Sequence, residues 1–183
     1  MMIVDTGRVA ISADDENVIG FVHRVIAEHE GLTEYAILLT DRQSIFIEQP
    51  PTRGRWMLRM ETWFGSAVIT DSQPRTSEDY ANANLDSLRD DENNLAIPHE
   101  RVIGLNVSVG NMYPVYRIRL RYKKHSENAL LEFYPVPLGI YMRERRLGQS
   151  REAILRQYAG EIVSLYGRVL SPKVIHDESP LGA

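Results

Sequence analysis

With 183 residues and 43% apolar content, the chain can build one domain around a true hydrophobic core, which excludes a disordered or low-complexity protein. Twenty-one Lys and Arg against 25 Asp and Glu give a formal charge of -4, which argues against a general nucleic-acid binder. The absence of cysteine excludes disulfide scaffolds, thiolate metal sites and a cysteine nucleophile.

The start, Met1-Met2-Ile3-Val4-Asp5, lacks the basic and then apolar pattern of a secretory leader. No apolar run approaches the roughly 18 residues of a spanning helix, so a cytoplasmic protein without a transmembrane segment is expected. Ser12-Ala13-Asp14-Asp15-Glu16 offers a helix N-cap followed by acids, and Val18, Val22, Val25 and Ile26 keep helical spacing up to Gly31. An N-terminal helix is expected there, with a strand over 18–26 as the lesser alternative. Next, the apolar runs 36–39 and 44–47 flank Thr40-Asp41-Arg42-Gln43 and predict a β-hairpin. After Pro50-Pro51, the alternation from Trp56 to Trp63 and the stretch Ser66–Thr70 predict two more strands. Residues 71–94 read as an inserted acidic loop, with room for a short helix near Asn84–Leu88.

Pro98 introduces a strand over about 97–107. The clearest alternation follows: Tyr116, Ile118, Leu120 and Tyr122 share one face while Arg117, Arg119, Arg121 and Lys123 share the other. A turn at 125–128 leads to the returning strand Leu130–Tyr134, making a hairpin with one solvated face. Ser150 and Glu152 then open an amphipathic helix whose stripe runs Ile154, Leu155, Tyr158, Ile162, Leu165, Tyr166, Val169. Residues 1–170 are thus expected to form a single α+β domain, a bent antiparallel sheet or partial β-barrel capped by the C-terminal helix, with 171–183 as a flexible tail.

The apolar hairpin around Thr40-Asp41-Arg42-Gln43, the stretch Ile97-Pro98-His99-Glu100-Arg101-Val102-Ile103, the long second hairpin and the C-terminal helix together resemble the pleckstrin-homology-like group, nearest to its GRAM-type and prokaryotic branches. The resemblance covers about residues 35–169. It implies a non-catalytic module that binds lipids, peptides or copies of itself, and it carries over no active-site residues. One departure stands out. Those branches place an arginine three positions after the turn threonine, where this chain has Gln43 and carries Arg42 one place early.

Signals for chemistry are sparse. His23, His29, His99, His125 and His176 are scattered, and a six-residue spacing does not put two of them on one helix face as a metal pair. Phosphate-loop, dinucleotide and nucleophile-elbow patterns are missing, so no cofactor is implied. The pairs Asp14-Asp15 and Asp90-Asp91-Glu92 have the turn-like setting of solvated acids, although a carboxylate-based enzyme site is the alternative they allow. Asn106-Val107-Ser108 matches a glycosylation signal that has no meaning without secretion.

The charge distribution carries more. Residues 115–156 hold ten basic against four acidic side chains, while 71–100 hold eight acidic against two basic, so +6 opposes -6. Four cations on one strand face repel one another unless something anionic faces them. Long basic side chains also remain solvated at little cost, and Glu132 across the hairpin offers partial neutralisation. The expected site is therefore a basic sheet face of Arg117, Arg119, Arg121 and Lys123, with Arg143 and Arg145 nearby. It would engage an acidic protein surface or a second copy of the chain, with anionic lipid or nucleic acid as the alternative ligand of the same patch.

Overall fold

In the computed structural model, the described residues are 4–5, 16–28, 32–49, 84–109, 116–135, 150–172 and 175–177. The expected strands at 56–70, residues 71–83 of the acidic loop, and Arg143 and Arg145 lie outside them. In chain order the elements are β1 (Val4–Asp5), β2 (Val18–Glu28), β3 (Leu32–Thr40), β4 (Gln43–Glu48), α1 (Leu85–Asp90), β5 (Leu95–Pro98), a 3-10 turn (His99–Arg101), β6 (Val102–Val109), β7 (Tyr116–Lys124), β8 (Glu127–Pro135), α2 (Arg151–Tyr166) and β9 (Ile175–Asp177).

Strands β2 to β8 form an open antiparallel sheet in the order β5-β4-β3-β2-β8-β7-β6, and two short strands bring the total to nine. β1 pairs antiparallel with β2, and β9 lies parallel on β6 through Leu105↔Ile175 and its neighbours. Three residues of the segment expected as a tail are thus part of the sheet. The antiparallel sheet and the C-terminal helix agree with the α+β expectation.

The sheet is strongly curved. β4 and β8 are three strand steps apart, which in a flat sheet separates them by about 14 Å. Yet the Phe46 and Phe133 ring centroids lie 5.5 Å apart in an edge-to-face contact. The concave face holds one core drawn from β2 to β8, and Ile154, Tyr158, Ile162, Leu165 and Tyr166 of α2 close over it. Helix α2 begins where its sequence predicts: the Ser150 hydroxyl accepts the Ala153 N–H at 3.1 Å, and Glu152 lies in the first turn. It ends at Tyr166, and residues up to Leu170 continue as turns.

The expected N-terminal helix is instead strand β2. A register irregularity between Val22 and Val25 interrupts the two-residue alternation, so Val22, Val25 and Ala27 face the main core. The opposite face is apolar too: Phe21 packs with Ala36, Leu38, Ile45, Ile47 and Leu85 in a second cluster. A strand buried on both faces and shifted at its middle imitates helical spacing. The short helix expected near Asn84–Leu88 is α1, capped by the Asn84 side chain and seated through buried Leu85.

Candidate functional site

Strand β7 displays its residues as the alternation predicts. Tyr116, Ile118, Leu120 and Tyr122 are buried, while Arg117, Arg119, Arg121 and Lys123 point away from the core, with Arg121 and Lys123 exposed and Arg117 and Arg119 half-buried. Cross-strand partners complete the face: Arg119 lies opposite Glu132 and Asn106, and Arg121 lies opposite Leu130 and Gly104.

Glu132 decides how much of that charge is available. Arg117 Nε lies 3.0 Å from one of its carboxylate oxygens, and Arg119 Nε donates to the other at 2.8 Å. The Tyr134 hydroxyl donates to the same carboxylate, and the Arg117 guanidinium stands 5.6 Å above the Tyr134 ring centre. Burial works to raise the pKa of Glu132, but hydrogen bonds from Arg119 and Tyr134 and the charges of both arginines outweigh it and hold it below the ordinary carboxylate range. Burial and the neighbouring carboxylate push the Tyr134 phenol up to about 12. One carboxylate therefore serves two guanidinium groups, leaving this end of the face with a single net positive charge.

Arg121 is placed differently. Its guanidinium rests against Gly104 of β6, close enough that a Cβ there would sit 2.9 Å from Nη2 and 3.1 Å from Nε. A glycine is what permits this approach, next to the irregularity of the β6–β7 pairing between Val102 and Gly104. Beside Arg121 are the two large apolar side chains that stand out in solvent among the described residues, Leu130 at 54% and Ile103 at 43% exposure. At the hairpin tip, Lys124 pairs in register with Glu127, and His125 takes a left-handed φ of 58° to turn the chain.

The sequence did not reveal a second polar constellation, at the β3–β4 turn. The Thr40 hydroxyl accepts the Gln43 N–H at 2.9 Å and the Arg42 N–H at 3.2 Å, and it donates to Glu16. Gln43 Nε2 reaches both Glu16 oxygens at 2.9 and 3.2 Å, and Arg89 of α1 pairs with the same buried carboxylate. Arg89 also holds Asp86 at 2.6 Å. Gln43 thus donates an amide to Glu16, while the positive charge comes from Arg89 of α1, 46 positions away along the chain. Thr40 and Gln43 were legible as turn residues. Glu16 and Arg89 were not, since only folding brings them to the turn.

Next to this turn, His99 begins the 3-10 corner between β5 and β6. Its backbone N–H donates to the Arg42 carbonyl at 2.8 Å, Nδ1 lies 3.4 Å from the Asp41 carbonyl, and Nε2 lies 3.1 Å from the Ser44 hydroxyl. A carbonyl can only accept, so Nδ1 carries the proton and Nε2 accepts from Ser44. Burial lowers the His99 pKa, against the opposing pull of the Asp41 carbonyl and the Glu16 and Asp41 charges. Ser44 is fully buried, while the His99 ring is partly exposed.

Two carboxylates with perturbed pKa values lie on separate elements. Asp41, in the β3–β4 turn, is raised by burial but lowered more by hydrogen bonds from Asn17 and by the Arg42 charge, while Glu132 lies on β8. Among the described residues, no three His, Asp or Glu side chains gather as a metal site, and no helix is long and apolar enough to cross a membrane. The exposed acids Asp86, Asp90, Asp91 and Glu92 belong to α1 and the turn after it. Comparison with protein-family models, with curated proteins and with solved structures gives no match to this chain.

Proposed function

We propose that the chain is a non-enzymatic binding module on a pleckstrin-homology-like partial barrel, and that the outer face of β6, β7 and β8 engages an acidic protein surface. The fold reading is supported by the strand order β5-β4-β3-β2-β8-β7-β6, by its curvature and by a C-terminal helix closing the concave side. The observation that carries the functional reading is the row of four cations projected from one strand, two of them, Arg121 and Lys123, exposed. Exposed cations on a rigid sheet steer and orient an anionic partner without needing a pocket.

The test replaces Arg117, Arg119 and Arg121 together by Ser, with Glu132→Gln included so that no carboxylate is left without its guanidinium partners. Circular dichroism is expected to show a retained fold, and capture of partner proteins from a cell extract by the full chain is expected to disappear. Unchanged capture would overturn the reading. Competition by heparin or by anionic vesicles would reassign the face to nucleic acid or lipid.

A further inference from the structure

We infer that the partner segment is acidic and apolar together, and that it docks on Arg121 rather than on the middle of the basic row. This inference rests on the reading above and narrows it to a contact centre. Arg117 and Arg119 are already held by Glu132, at 3.0 and 2.8 Å, so an incoming carboxylate meets an occupied site there. Arg121 has another environment: its guanidinium rests against Gly104 of the neighbouring strand, and this contact limits the freedom it would lose on binding.

The apolar half of the argument comes from Leu130 and Ile103. Leu130 is the direct cross-strand neighbour of Arg121, and Ile103 adjoins Gly104, the neighbour on the other side. An exposed Leu elsewhere would be ordinary, but here the two most exposed large apolar side chains among the described residues bracket one cation. Neighbouring strands lie about 4.8 Å apart, so a single short segment crossing β8, β7 and β6 covers all three side chains. A purely anionic ligand would leave Leu130 and Ile103 wet, whereas a segment with alternating carboxylates and aliphatic groups satisfies both. Lys123, exposed two residues further along β7, extends the cationic track in the direction of the hairpin tip.

Fluorescence anisotropy of the full chain with two labelled 12-residue probe peptides tests this, one alternating Glu and Leu, the other Glu and Ser at equal charge. The Glu-Leu probe is expected to bind about tenfold more tightly, since burying even one Leu contact is worth that factor. Leu130→Ser and Ile103→Ser, both at solvent positions, should bring it down to the level of the Glu-Ser probe. Arg121→Ser should weaken both probes by about tenfold. Equal binding of the two probes, or a Leu130→Ser chain that still prefers Glu-Leu, overturns the apolar component while leaving the acidic-partner reading standing. Binding of neither probe overturns both. Preference for phosphatidylserine vesicles over the Glu-Leu probe overturns the peptide assignment in favour of a membrane surface.

Discussion

At the scale of single residues, Glu132 sets the charge of the face that its neighbours on β7 present. Two guanidinium groups and one phenol converge on it, and its lowered pKa means that it is ionised wherever the protein is folded near neutral pH. A group whose folded pKa is depressed adds stability above its unfolded value near 4.3, and that contribution vanishes as pH falls through the folded value. Glu132→Gln should therefore cost about 1 kcal/mol or less at pH 7, because both arginines are 40% exposed and screened by solvent. The same change frees Arg117 and Arg119, so affinity for an acidic probe peptide should rise. Denaturant melts and probe anisotropy on the same variant check the two effects, and unaltered affinity would mean that these two arginines take no part in binding.

Between elements, the joint of α2 and β2 depends on one phenol. Tyr158 is fully buried, and its hydroxyl donates to the Arg24 carbonyl at 3.0 Å and accepts the Arg24 N–H at 3.2 Å. These are the backbone groups that the irregularity between Val22 and Val25 withdraws from the ladder, so the helix satisfies what the strand cannot. Burial raises the phenol's pKa further, which keeps it protonated as a donor. Tyr158→Phe should cost about 1–3 kcal/mol, the range for leaving a buried polar group unpaired. Urea unfolding measures the loss, and faster amide exchange at Arg24 would place it at this joint.

For the molecule as a whole, the corner at His99 ties the two halves of the curved sheet. It joins β5 to β6, and its ring and backbone also reach the β3–β4 turn, where Thr40, Gln43 and Arg89 surround Glu16. Because burial depresses the His99 pKa, the unfolded chain binds a proton more readily than the folded one. Stability is then complete above the unfolded value near 6.5 and falls as pH drops from there toward the folded value. Thermal melts of the wild-type chain should show this decline as the pH is lowered below about 6.5. His99→Gln, which keeps hydrogen-bonding capacity without the titration, should flatten the curve in that window. An identical decline in both proteins would assign it to other groups.

The alternation from Tyr116 to Lys123, the hairpin around Thr40, and the Ser150 cap with its apolar stripe were legible because each is written in neighbouring residues at a period of two or 3.6. Strand β2 was misread because a mid-strand irregularity and burial on both faces erased its period, and neither is visible before its partners are known. The row of cations was likewise visible in the amino acids alone, but its division into neutralised arginines on Glu132 and a separate Arg121 beside Leu130 was not. Charge signs follow from residue identity. Which opposite charges meet, which glycine admits a guanidinium, and how Glu16 comes to lie between Gln43 and Arg89 are decided by distances that arise only when strands far apart in the chain are brought side by side.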